Sequence, residues 1–464
     1  MTPLANEGNI CGVLDRDRWR FVTVILGLAC LLVSCETGGG SGGSAFPLKV
    51  SLDNRYLIDQ NDDPFLLIGD APQALMVNAS LKEARLLLAD RASRGFNTVW
   101  IMLLCNDYSG GRADSSTYDG LKPFTRTGDL STPDEAYFSR CDEVLRAAAS
   151  EGLLVLLDPI DTGGFLEMMR ANGETKCRDY GRFLGDRYKG FDNILWMSGS
   201  DFQTWRDPGD DALVRAVASG IREADTRHIQ TVELDYYSSL STDDPSWSGL
   251  ISLNAAYTYY PTYAEVLDGY DRVPTVPVFL VEADYELENG TDAERLRRQE
   301  YWSLLAGACG HVYGNDYVWP LKTGWQSHLS STGAREFGYC RELFASLPWQ
   351  TLVPDRSHAL VTSGYGTYFS DGPPHTSISE NDYVQAAMTP DGRLGLVYVP
   401  SARTFRVDLI RLSGAVTARW YDPTAGSYRT IDGSPFANTA SRSFTTPGTH
   451  ADGASDWVLV LEVR

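Results

Sequence analysis

Short apolar runs alternate with amphipathic stretches along residues 64–346, and the alternation sets out the fold. Phe65-Leu66-Leu67-Ile68-Gly69-Asp70 has the pattern of a buried strand that ends in an acid. Ser80-Leu81-Lys82-Glu83 then opens a helix with a capping box, the serine satisfying a free N–H while Glu83 reaches back. Leu81, Ala84, Leu88 and Ala92 keep one face of that helix apolar. Residues 96–104 predict the next strand, followed by a long loop holding Asp107, Tyr108, Tyr118 and Pro123-Phe124. Thr132-Pro133-Asp134-Glu135 predicts a helix start with Thr132 as its cap and Pro133 in the first turn. The same rhythm then gives strands over 153–158, 193–197, 229–233, 250–254, 277–282 and 310–314. Helices are expected near 174–189, 209–225 and 333–346, with a further one capped by Thr291 and Glu294.

Eight strand units in roughly 285 residues, with near-continuous apolar strands, predict an α/β fold, the TIM (β/α)8 barrel. A doubly wound open sheet is the alternative, weakened because no GxGxxG follows any of these strands. Past Pro354 the texture changes. Runs such as 394–400, 419–421 and 457–461 alternate with Gly, Pro, Asp and Ser turns, which predicts a C-terminal antiparallel β-sandwich domain. The barrel is placed at 47–354 and the sandwich at 355–464.

The first residues change the picture in another way. Arg16, Arg18 and Arg20 precede an apolar run from Phe21 to Val33 that ends in Leu32-Val33-Ser34-Cys35. A basic start, a short apolar core and a small residue before the cut read as a signal peptide over 1–35. The run is too short for a comfortable membrane span. The tetrapeptide resembles a bacterial lipobox, with Cys35 as the lipidation site. Residues 36–46, with the Gly/Ser run 38–44, read as a flexible tether. The expectation is an exported protein held at the outer membrane by its lipid alone. A non-lipidated signal, or a single-span anchor, is the alternative.

Composition narrows the partners. A formal net charge of −21 argues against a nucleic-acid backbone as partner, because that needs clustered Lys and Arg. The 11 Trp and 24 Tyr supply aromatic faces on which sugar rings stack, although most such rings in any protein belong to the core. Cys105, Cys141, Cys177, Cys309 and Cys340 show no CxxC spacing and read as buried small hydrophobes, with room for one disulfide in an oxidising compartment. The six His residues show no HExxH or HxxxH spacing, so neither a metal nor another cofactor is expected.

Catalytic groups in such a barrel sit at the C-terminal ends of the strands. Those ends carry Asp70, Asp107, Asp158, Asp201, Glu233 and Glu282, with Asn106, Tyr108, Tyr257, Tyr259, Tyr285, Tyr313, Asn315 and Trp319 nearby. Acids beside stacking aromatics suit cleavage of a glycosidic bond in an oligosaccharide or polysaccharide, where one carboxyl protonates the leaving oxygen and a second attacks or activates water. Asp201, after strand four, and Glu282, closing strand seven, stand out as the catalytic pair. Asp70, Asn106, Tyr108, Tyr257, Tyr285, His311, Tyr313 and Trp319 are the candidate substrate-binding residues. Asp158 opens Asp158-Pro159 and reads as a turn former. If Asp201 is the acid and Glu282 the nucleophile, Asp201 is protonated at rest and Glu282 ionised, with phenols from Tyr285 or Tyr313 holding the pKa of Glu282 down.

Several segments carry a family resemblance: residues 64–70, 91–97, 193–196, Glu282-Ala283-Asp284-Tyr285-Glu286, 307–315, Tyr398-Val399-Pro400 and Trp420-Tyr421-Asp422-Pro423. From about Asp53 to the end the chain resembles the apiosidase-like glycoside hydrolases (glycoside hydrolase family 140), barrels followed by a domain named for collagen binding. The resemblance implies Asp201 as acid/base and Glu282 as nucleophile of a retaining glycosidase, the arrangement of a large clan of barrel enzymes. The chain departs from the family at one point. Gly199-Ser200-Asp201-Phe202-Gln203 stands where the family has Gly-Gly-Asp-Arg-Asn-Pro, which bears on the substrate more than on the reaction. A non-catalytic glycan-binding surface lipoprotein is the rival reading. No partner code for collagen can be read from the sandwich, so that domain is expected to be a support.

Overall fold

The computed structural model describes residues 45–369 and 377–463. Cys35, the predicted signal peptide and His375 lie outside the described residues. Eight parallel strands form the barrel: β1 (Leu67–Asp70), β2 (Thr98–Met102), β3 (Leu154–Asp158), β4 (Ile194–Ser198), β5 (Gln230–Val232), β6 (Asn254–Thr258), β7 (Val278–Glu282) and β8 (Gly310–Tyr313). β8 pairs in parallel with β1, so the sheet runs β5-β4-β3-β2-β1-β8-β7-β6. The sixth strand starts where the sequence pattern placed its end. The apolar run at 250–254 is the approach to β6, and Asn254 is its first residue.

The seam between β5 and β6 is stitched by few bonds. Ser252 N–H donates to the Gln230 carbonyl at 2.9 Å, and Thr231 Oγ1 donates to the Leu253 carbonyl at 2.8 Å. Ser241 Oγ adds a bridge, accepting from Ala255 N at 2.8 Å and donating to the Val232 carbonyl at 2.5 Å. Ser241 can do so because the β5–β6 connection carries a short strand, Ser238–Leu240, antiparallel to β6, followed by two 3₁₀ turns. The other βα connections carry helices: α1 (Leu81–Ser93), α2 (Glu135–Ser150), α3 (Thr162–Tyr188), α4 (Pro208–Ala224), α5 (Thr262–Asp271), α6 (Ala293–Leu305) and α7 (Thr332–Ala345).

Local chemistry explains the helix starts. Ser80 and Glu83 form the capping box expected of α1. Two other caps fall elsewhere than the sequence suggested. α2 starts at Glu135 and is capped by Asp134, which accepts from Ala136 N at 2.9 Å, in place of Thr132. α6 is capped by Asp292, accepting from Arg295 N at 3.0 Å, in place of Thr291. In both cases an aspartate stands nearer the first helical turn than the threonine, by two residues in α2 and by one in α6. α3 is longer than expected, because a break at Gly173 (φ 73°) joins two helical stretches.

The C-terminal part forms two antiparallel sheets. β9 (Val353–Pro354), β11 (Gln385–Met388), β12 (Leu394–Val399), β14 (Val416–Asp422), β15 (Ser427–Thr430) and β17 (Trp457–Val463) make the larger, in the order β9-β11-β12-β17-β14-β15. β10 (Val361–Ser363), β13 (Thr404–Asp408) and β16 (Ser441–Thr445) make the smaller. Every other side chain of a strand faces the same way, and the larger sheet uses both faces. Val397, Val399, Leu459 and Leu461 point into the sandwich core, with Phe405 and Val407 of the smaller sheet. Leu396, Tyr398, Val458 and Val460 pack instead against Tyr301 and Trp302 of α6 and Phe337 and Phe344 of α7. The Tyr301 and Tyr398 rings stack at 5.1 Å. Beside them Arg297, fully buried, pairs with Asp456 (2.8 Å) and Glu336 (2.5 Å). All five described cysteines are buried and free, so the disulfide that the sequence left open is not formed among them.

Candidate active site

The C-terminal strand ends surround a cleft of about 230 Å³ lined by Gln73, Trp100, Met102, Tyr108, Ser109, Asp161, Ser200, Asp201, Glu233, Tyr259, Glu282, Tyr285, Glu288 and Trp319. β4 delivers the first acid through an unusual turn. Gly199, Ser200 and Asp201 have φ of 103°, 63° and 49°, three successive residues in left-handed conformation. Two of them are not glycine, and each such residue costs on the order of 1–3 kcal/mol unless its surroundings hold it. β5 and β3 supply the hold. A Cβ on Gly199 would lie 1.9 Å from the Glu233 carbonyl, so only glycine lets the two strand ends approach. Asp201 N–H donates to Glu233 Oε2 at 3.3 Å, and Ser200 Oγ donates to Asp158 Oδ2.

β7 delivers the second acid directly as its last residue, Glu282. The two carboxyls meet at one phenol. Tyr257 Oη lies 2.9 Å from Asp201 Oδ1 and 3.1 Å from Glu282 Oε1, which puts those two carboxyl oxygens at most 6.0 Å apart. Tyr259 follows two residues later, just past the end of β6; its hydroxyl lies 2.8 Å from that of Tyr257 and donates to Glu282 Oε1 at 3.2 Å. Tyr285 donates to Glu282 Oε2 at 3.0 Å and itself accepts from Gln73 Nε2 at 3.1 Å. Tyr108 donates to Asp201 Oδ2 at 2.7 Å.

Burial dominates the electrostatics. It lifts the Asp201 pKa above the usual carboxylate range, against the donors Tyr108 and Tyr257, which favour the ionised form. Burial lifts that of Glu282 well above its ordinary value too, and the charge of Asp201 adds to the rise. The phenols Tyr285 and Tyr257 oppose it. Glu282 is therefore not held low, as the sequence reading expected; Asp201, Glu282 and Glu233 form a cluster of raised acids. Like charges this close oppose one another's ionisation, so each of the three holds its proton more tightly than an isolated carboxyl would. Asp161, which accepts from Ser109 Oγ at 2.5 Å, is pushed up to about 7 by burial.

Six of the residues singled out in the sequence come together here: Asp201, Glu282, Tyr108, Tyr257, Tyr285 and Trp319. Trp319 lines the cleft and donates its indole N–H to Glu288 Oε1 at 2.7 Å. The other four are corrected, because their side chains are engaged away from the cleft. Asp70 is fully buried, paired with Arg91 (3.3 Å) and accepting from Ala71 N. Asn106 braces its loop, donating to the Gly164 carbonyl at 2.6 Å. His311 and Tyr313 share the face of β8 that packs on Phe337 of α7. Burial keeps His311 neutral, with its pKa lowered to about 3, and Tyr313 donates to Glu286 at 2.5 Å. Asp158 accepts from Ile160 N at 2.9 Å, shaping the turn as its Asp-Pro context suggested.

Gln73, Asp161, Glu233, Tyr259 and Glu288 line the cleft as well, beyond the candidates the sequence pattern singles out. Tyr259 had a readable signal, the two-residue spacing from Tyr257, and Glu233 had its strand-end position. Gln73, Asp161 and Glu288 enter from loops, whose course no periodicity reveals. Where the family's Arg-Asn pair would follow the acid, Phe202 turns into the core and Gln203 reaches Tyr108 Oη at 3.4 Å.

A (β/α)8 barrel with two acids facing each other across the ends of β4 and β7 has the build of a glycosidase. Residues 51–351 match the family described as "Apiosidase-like, catalytic domain", and the chain belongs to it. Residues 375–462 match "Putative collagen-binding domain of a collagenase". No curated protein matches the chain. Among solved structures, a glycoside hydrolase family 5 protein from Bacteroides vulgatus ATCC 8482 is 23% identical with a TM-score of 0.76, over 89% of this chain and 93% of that one. A second, named "Glycoside hydrolase", is 23% identical with a TM-score of 0.76, over 90% of this chain and 97% of that one. These two share the fold.

Proposed function

We propose that the protein is a retaining glycoside hydrolase acting on apiosides or related glycosides within complex polysaccharide, with Glu282 as nucleophile and Asp201 as acid/base. The observation that carries this reading is the phenol of Tyr257 held between the two acids, which limits their nearest oxygens to a separation of 6.0 Å. Retaining enzymes hold their carboxyls about 5–5.5 Å apart, whereas inverting enzymes need about 6.5–9.5 Å to admit a water. In the first step a Glu282 oxygen bonds to the anomeric carbon as the bond to the leaving oxygen breaks, and Asp201 gives that oxygen its proton. In the second, Asp201 takes a proton from water, the water oxygen bonds to the anomeric carbon, and Glu282 is released. Tyr257 and Tyr285 stabilise negative charge on Glu282 whenever it is free. Gln203 and Tyr108, beside Asp201, take the place of the family's polar pair in reading the leaving group.

The test is the configuration of the first-formed sugar, followed by NMR on an aryl apioside and on oligosaccharides the enzyme is found to cleave. Retention supports the pair; inversion overturns it. Binding of glycans with no sugar released would favour the non-catalytic receptor instead. We further propose that the chain is exported and anchored to the outer membrane through lipidated Cys35, on the strength of the lipobox pattern and the tether that follows it.

A further inference from the structure

The β5–β6 connection does more than close the barrel. Its antiparallel strand, Ser238–Leu240, pairs Ser239 with Tyr257 and Ser238 with Thr258. The two residues before it, Tyr236 and Tyr237, are thereby fixed beside the end of β6. They are 40% and 47% exposed. The Tyr236 ring lies 6.4 Å from that of Tyr259, which lines the cleft and bonds Glu282. The Tyr237 ring lies 5.6 Å from that of Tyr260 and 6.2 Å from that of Tyr236. A run of phenols therefore leads from the acids at the cleft floor to two exposed rings at its rim, set edge to face at 78°, so that the face is made by one ring with the other beside it. Neighbouring backbone bonds hold the face in place: Tyr237 N donates to Asp235 Oδ1 at 3.3 Å and Ser239 Oγ to the Asp235 carbonyl at 2.9 Å.

We infer that Tyr236 and Tyr237 form an outer sugar subsite, on which a second ring of the bound glycan stacks while its scissile bond lies at Asp201 and Glu282. The occupant follows from continuity. The face joins the cleft through Tyr259, so a chain bound in the cleft and leaving on that side must pass over it. Exposed aromatic rings on a rigid support offer flat apolar area at little entropic cost, which suits the C–H face of a sugar ring. The inference rests on the glycosidase reading above, and it implies that the enzyme prefers oligomeric substrates to single glycosides.

The test compares wild type with the Tyr236→Ala/Tyr237→Ala double variant on an aryl monoglycoside and on size-fractionated oligosaccharides from the polysaccharide the wild type cleaves. The expected result is a loss of kcat/KM on oligosaccharides roughly tenfold or more greater than on the aryl glycoside, since about 1.4 kcal/mol of lost contact is a factor of ten. The Tyr236→Phe/Tyr237→Phe variant, which keeps the rings, should restore the preference for length. Equal losses on short and long substrates, or none, would overturn the subsite. Should the wild type cleave nothing, the glycosidase reading fails, and retardation in gels containing soluble polysaccharides judges the subsite by itself. Retardation of wild type but not of the Ala variant would uphold it, and equal migration would overturn it.

Discussion

Tyr285 donates its phenol proton to Glu282 Oε2 at 3.0 Å, and that proton is committed there because Gln73 Nε2 occupies the same phenol oxygen as a donor at 3.1 Å. The bond favours the ionised form of Glu282 against a burial that opposes it. If Glu282 is the nucleophile, as proposed, it works only when ionised, and activity should rise with pH as it loses its proton. Removing the donor raises the pKa of Glu282 further. Tyr285→Phe should therefore move the acidic limb of the kcat/KM profile upward, by roughly half to one unit, and leave the alkaline limb nearly in place. A pH profile of the variant on an aryl glycoside checks this, and a downward shift would contradict it.

Glu282→Gln should lower turnover on every substrate by roughly 10⁴-fold or more, since no nucleophile remains. Asp201→Asn should cost roughly 10²–10⁴-fold on natural glycosides and far less on aryl glycosides, whose leaving groups need little protonation. Azide should partly restore Asp201→Asn by attacking the glycosyl-enzyme without a base, giving a glycosyl azide of retained configuration. Product analysis by NMR checks all three.

Arg297 of α6 is paired in the interior with two carboxylates, Asp456 just before β17 and Glu336 of α7. Arg297→Met leaves two buried carboxyls without their cation and should destabilise the fold by roughly 3–5 kcal/mol, seen as a lower Tm. Ending the chain after Ser346 should go further. It exposes Tyr301, Trp302 and Phe344, which the sheet covers, and should give an insoluble or poorly stable barrel. A soluble, fully active truncation would show the sheets to be an independent module.

Cys35→Ala, or treatment of the producing cells with globomycin, should leave unprocessed precursor or move the protein to the soluble fraction. Detergent partitioning unchanged in both experiments would rule out the lipid anchor.

Much of the barrel was written in local pattern. A buried parallel strand is an apolar run wherever it lies, and an acid that closes such a run sits at the mouth of the barrel, so Asp201 and Glu282 were legible as residues. What periodicity leaves open is which face of a strand looks inward. Tyr257 and Tyr259 face the cleft, whereas His311 and Tyr313, equally promising in sequence, face α7, because alternation tells that two residues share a side and not which side that is. The turn at Gly199-Ser200-Asp201 was likewise beyond reading. Its left-handed residues are unfavourable locally and are held by Glu233 and Asp158, 32 and 42 positions away from the groups they bind. The raised pKa of Glu282 came from burial among neighbours that only the closed barrel brings together. The sequence by itself determined the strands, the helices and the acids at their ends. The tertiary structure decided facing, strain and proton affinity, because each of these depends on atoms distant in the chain.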